Sequence, residues 1–177
     1  MTLRPRDPLL LAARVVTLIG MSLAALVASV TFIATPAVVV MRDMILRELA
    51  ANGDCAALSA STPYAIALIL LLISAMATCA FLFQRHLLRI IDSVGQGDPF
   101  RPDNAIRLAA MGWLTLAIEA LSAPVCAIGQ WVAGQVQDAT SEFGIDMSGV
   151  LLALILFVLA RVFREGARMR EDLEGTV

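Results

Sequence analysis

Glu119 is the one ionisable side chain near the middle of a long apolar run in this 177-residue chain, so any chemistry inside that run starts there. Thr115 and Ser122 stand at i−4 and i+3, on the same helical face, where their hydroxyls are in reach of the carboxyl group. Ser74, in another run, has comparable depth. A charge at bilayer depth costs about 2.5 to 3.5 kcal/mol on insertion scales, so Glu119 must face other helices or a wet cavity, or stay protonated. The first reading is a protonated carboxyl that anchors helices by hydrogen bonding. The sharper one is a proton or cation site of the kind small exporters use, and a ligand-sensing cavity is the third. A transport path normally needs more than one polar residue at depth, and the other runs offer only hydroxyls.

A second set is basic. Arg85 and Arg89 are followed by Asp92 at helical spacing, opposite Leu87, Ile91 and Val94, and Arg161, Arg164 and Arg168 form a stripe beside Val162, Gly166, Met169 and Leu173. Both stretches continue a helix as an amphipathic extension. Guanidinium groups there suit lipid phosphates, towards which the earlier arginines should snorkel, or an acidic partner surface. Nothing points to catalysis. His86 is the single histidine and has no second metal ligand at helical spacing, and the three cysteines are scattered without a C-x-x-C pair. No G-x-S-x-G, H-E-x-x-H or Walker glycine run occurs, so no catalytic, cofactor or metal residues are expected and the chain is read as a non-enzyme.

The elements that must position these residues are apolar runs. Val15 to Met41 and Cys55 to Gln84 carry no charge, Leu108 to Gln137 carries only Glu119, and Phe143 to Phe163 is apolar apart from Asp146 and Arg161. About 20 residues rising about 1.5 Å each cross a bilayer core, and the backbone must close its hydrogen bonds within each span. The expected fold is therefore all-α, one integral membrane domain of four transmembrane helices at about 12–41, 60–85, 105–133 and 143–163, with helices 2 and 4 extending into the cytoplasm. A hydrophobic fraction of 59% with 16% charge agrees, as does a mean hydropathy of +0.83. No segment is long enough for a second soluble core.

Orientation follows from arginine, since the chain has no lysine. Arg4, Arg6 and Arg14 precede the first run, Arg42 and Arg47 follow it, Arg85, Arg89, Arg101 and Arg107 lie around the second connection, and Arg161, Arg164, Arg168 and Arg170 end the chain. The third connection has none and is acidic, with Asp138, Glu142 and Asp146. Both termini are expected in the cytoplasm. The first run is too long for a signal-peptide core of about 7 to 15 residues and is read as uncleaved. Its small-x-x-x-small pairs, Gly20 with Ala24, Ala24 with Ala28 and Ala25 with Ser29, serve packing within the bundle or, alternatively, a homodimer seam.

Local signals sharpen the ends. Ser61 or Thr62 can cap the second helix with Pro63 at its first position, Tyr64 and Trp131 suit the outer interface, and Pro124 should kink the third span. Gly95 should stop the second helix and Asp103 cap the third. Between them, Gly95 to Asn104 holds two glycines and two prolines in a shaped turn, with Phe100 expected to tuck against the helical extensions.

Gly97, Asp98, Pro99 and Phe100, with Asn104 ahead of the third span, and Val162 to Arg168 with the ending Thr176-Val177, resemble a family of four-span bacterial membrane proteins. It is the domain-of-unknown-function family numbered 2975, also called YoaS-like. No catalytic residues are established for it. The resemblance implies a bacterial inner-membrane location and a possible cytoplasmic partner, a small Cro/C1-type helix-turn-helix regulator. The favoured reading is then a protein whose cytoplasmic face binds or sequesters such a regulator, without binding nucleic acid itself. The rival is a small proton-coupled transporter or exporter that uses Glu119.

Overall fold

The computed structural model of the protein describes residues 8–44, 47, 61–134 and 147–174. Expectations placed on Asn52, Gly53, Cys55, Asp138, Glu142, Asp146, Thr176 and Val177 fall outside the described residues. Within them the chain is all helical: α1 is Pro8–Val40, α2 Thr62–Gly95, α3 Pro102–Ala133 and α4 Ser148–Glu174. Three of these, α1, α2 and α3, are long and apolar enough to cross a membrane. α4 differs for a simple reason. Its uncharged stretch from Ser148 to Ala160 spans 13 residues, about 20 Å at helical rise against a hydrocarbon core of about 30 Å. The fourth span expected at 143–163 needs residues 143–146, which lie outside the described segment.

Internal contacts gather into two units. The first comprises Met1–Ala24, Cys79–Ala117 and Met147–Val177, the second Ala25–Thr78 and Ile118–Asp146. In the first, Leu108, Met111, Leu156 and Ala160 are buried together, and Phe83, Leu87, Ile90, Ala109 and Phe163 pack around them. Small residues set the spacing. A Cβ on Gly112 would meet the Phe157 ring at 2.8 Å, so only glycine lets that ring lie against α3. The same ring meets Trp113 edge-on, centroids 5.5 Å apart. Gly20 on α1 accommodates the Gln84 amide where a Cβ would stand, which is a use of this small residue within the chain.

The packed stripe of α4 runs through Ala153, Leu156, Ala160, Phe163 and Ala167, alternating steps of three and four. That corrects the stripe read from the sequence: Val162 and Met169 are 55% and 57% exposed. Large apolar side chains of α4, including Leu151, Leu154, Ile155 and Val158, also point outward, while alanines pack inward. Close helix approach needs small side chains, and the inward stripe of α4 supplies three alanines.

In the second unit hydroxyls satisfy backbone carbonyls. Ser74 Oγ donates to Ala28 O at 3.0 Å, tying α2 to α1, while Ser29, Thr31 and Thr35 bond back to carbonyls four residues earlier. Arg42 donates to the Tyr64 hydroxyl and lies 6.0 Å from that ring's centroid; the same hydrogen bond holds its guanidinium above its ordinary pKa. Pro124 lies inside α3, so the Ala120 carbonyl lacks its helical donor.

Candidate functional site

Asn104 organises a site built from several segments. It is fully buried. Its Nδ2 donates to Ser93 Oγ at 2.7 Å and to the Pro99 carbonyl at 2.9 Å, and its Oδ1 accepts from Arg107 Nη1 at 2.9 Å. One amide thereby joins the end of α2, the turn and the first turns of α3. Ser93 Oγ in turn donates to Ile90 O at 2.8 Å. Asp103, expected as the cap of α3, instead sits within its first turn, behind Pro102, and pairs with Arg107 at 3.4 Å. Proline at the first helical position already lacks the N–H a cap would satisfy.

The turn reverses at Gly97, whose φ of 83° belongs to the left-handed region. Gly95, expected to stop α2, is its last helical residue. Gly97 N–H donates to Val94 O at 2.9 Å and Asp98 N–H to Ser93 O at 3.2 Å, closing the helix end. The remaining motif residues then reach α4. Asp98 pairs with Arg170 and, at 4.0 Å, with Arg101. Phe100 stacks at a tilt on Phe163, centroids 5.3 Å apart, and its ring occupies the space beside Gly166, where a Cβ would stand 2.8 Å from Cδ1. The two segments that carried the family resemblance, Gly97 to Asn104 and Val162 to Arg168, are therefore one packed junction.

Arginines divide into two groups around this junction. Arg14 pairs with Asp92 at 3.5 Å, and Arg101, Arg107 and Arg170 are engaged as described. Arg85, Arg89, Arg161, Arg164 and Arg168 are exposed and have no ion-pair partner among the described residues. His86 stands beside the first of them. Its Nδ1 is buried without a hydrogen-bond partner among the described residues.

Glu119 is half-buried in the second unit, and no described side chain hydrogen-bonds to its carboxylate. The hydroxyls read as its partners are committed to backbone carbonyls: Thr115 Oγ1 donates to Met111 O at 3.0 Å and Ser122 Oγ to Glu119's own carbonyl at 2.7 Å. Cys79 and Cys126 are free thiols. No group of three metal-ligating side chains occurs among the described residues. Tyr64 and Trp131, both assigned to one interface from sequence, line a common hollow of about 530 Å³ with Leu68 and Ile128.

Sequence reasoning missed Ser93, Arg107, Arg170 and Gly166 as parts of the junction. Ser93 does carry a signal, as a hydroxyl at a face otherwise made by Phe83, Leu87 and Ile90. Arg107 does too, at i+3 from Asn104. Arg170 is 72 residues from Asp98 and carries none; Gly166 lies in a segment that carried the family resemblance, but nothing local pairs it with Phe100.

A protein of this kind is a helical chain with three helices long and apolar enough to cross a membrane, and with a polar junction at helix ends. It belongs to the family described as protein of unknown function (DUF2975), which it matches over residues 49–177. The match takes in α2, α3, α4 and the whole junction, and begins after α1. No curated protein and no solved structure matches the chain.

Proposed function

We propose that this chain is a non-enzymatic protein of the bacterial inner membrane, crossing four times with both termini in the cytoplasm, whose junction of α2, the Gly97–Asn104 turn and α4 binds or sequesters a cytoplasmic helix-turn-helix regulator. One observation carries the reading. A buried amide, an ion pair and a ring seated on glycine lock three segments together, next to arginines that have no described carboxylate to neutralise them. Guanidinium groups that have no ion-pair partner among the described residues, carried on a backbone fixed by this junction, are suited to an acidic protein surface, which they can meet with charge-assisted, bidentate hydrogen bonds. The outward large apolar face of α4 supports its placement in lipid, and the arginine distribution supports the orientation.

The test is affinity purification of the full chain in mild detergent, with identification of the proteins that copurify. A helix-turn-helix protein is expected with the native chain and lost with Arg85→Glu/Arg89→Glu/Arg168→Glu. Recovery of no such protein under any growth condition, or equal recovery with the triple variant, overturns the reading.

A second reading is favoured by a different observation, the Glu119 carboxylate without a described donor. A carboxylate at that depth needs water, a cation or a proton, which a proton-coupled carrier would exploit. Glu119→Gln should then abolish transport while leaving partner capture intact.

A further inference from the structure

We propose that a hollow of about 520 Å³ between α3 and α4, lined by Ala109, Phe157, Ala160, Arg161, Arg164 and Glu165, binds the headgroup phosphodiester of an anionic phospholipid. It rests on the reading of α4 as membrane-embedded and is independent of any protein partner. Phe157, Ala160, Arg161 and Arg164 stand at i, i+3, i+4 and i+7, so they share one face of α4. Ala109 faces them from α3 with a side chain too small to fill the space. The Phe157 floor is held by Gly112 and by the edge of Trp113. A site with an apolar base and a charged rim matches the two parts of a lipid near its glycerol backbone.

Charge selects the ligand. Arg161 and Arg164 are exposed, and neither has an ion-pair partner among the described residues. Glu165 lines the same hollow, so the rim carries two positive charges and one negative. The net single positive charge is balanced by a phosphodiester monoanion, while a dianionic phosphate meets the carboxylate. Two guanidinium groups hold the two free phosphate oxygens by charge-assisted hydrogen bonds, and Glu165 accepts from a hydroxylated headgroup such as glycerol. Acyl chains continue along the outward apolar residues of the same helix, Val158, Leu154 and Leu151, which are 57%, 59% and 59% exposed. The helix end supplies headgroup and chain contacts at the register a snorkelling arginine requires.

Native mass spectrometry of the full-length protein released from detergent, titrated with phosphatidylglycerol, tests this. One phosphatidylglycerol is expected to remain bound, at least tenfold more tightly than phosphatidylethanolamine, and excess inorganic phosphate should not displace it. Arg161→Gln/Arg164→Gln should reduce retention at least tenfold. Ala109→Phe fills the floor without touching the charges and should do the same, which keeps the test decisive if the double variant does not fold. Glu165→Gln should raise retention of phosphatidic acid relative to phosphatidylglycerol. Native-like retention by the folded variants, equal retention of phosphatidylethanolamine, or displacement by inorganic phosphate overturns the proposal. No regulator is present in this assay, so its failure leaves the partner reading standing, and loss of partner capture leaves this one standing.

Discussion

Asn104→Ala should be the most damaging single substitution at the junction, and its cost can be worked from the geometry. The amide makes three hydrogen bonds, to Ser93 Oγ, to the Pro99 carbonyl and from Arg107, all at 2.7 to 2.9 Å around a side chain with no exposure. Two are neutral and contribute about 1 kcal/mol each, and the one from a guanidinium contributes about 1.5 to 3 kcal/mol. Alanine returns roughly half a kcal/mol through its better helix propensity. The net loss is then about 3 to 4.5 kcal/mol, provided water does not reach the Pro99 carbonyl. Equilibrium unfolding of the purified protein in detergent, followed by far-UV circular dichroism, measures it. Ser93→Ala provides the control, because a double-mutant cycle should show a coupling of about 1 kcal/mol between residues that share a bond. A loss below about 1 kcal/mol for Asn104→Ala, or strict additivity with Ser93→Ala, would refute the account of the amide as the pin of this junction.

Gly166→Ala should destabilise by about 1 to 3 kcal/mol, since its Cβ would stand 2.8 Å from the Phe100 ring; Phe100→Ala in the same chain should recover part of that, read by the same unfolding curves. Asp98→Asn, which removes the exposed pair with Arg170, should cost under about 1 kcal/mol and less still at high salt. Reporter fusions at the two ends should read the same, cytoplasmic side, and opposite readings would remove α4 as a fourth span.

Hydrophobic patterning made the helices legible, because the need to close backbone hydrogen bonds inside lipid leaves a long uncharged run little other choice. Val15 to Met41 and Cys55 to Gln84 meet that condition in α1 and α2, and a single Glu119 does not undo it in α3. The turn was legible too, since glycine and proline restrict dihedrals locally, although the reversal falls at Gly97 and not Gly95. What misled was the rule carried over from water-soluble helices, that the larger apolar residues face inward. It selected Val162 and Met169, which are exposed, over Ala160 and Ala167, which are buried.

By itself the chain's order of residues determined its class, its helices and its concentration of arginine at particular ends, all of which depend on neighbours within about a turn. Only tertiary structure decided that Asn104 would be a fully enclosed hub, that Phe100 would sit on Gly166, and which arginines would pair with carboxylates among the described residues. Those outcomes depend on side chains brought together from positions up to about 70 residues apart. Hydrogen bonds, ion pairs and ring contacts act over a few ångströms, and that proximity is written in no local pattern.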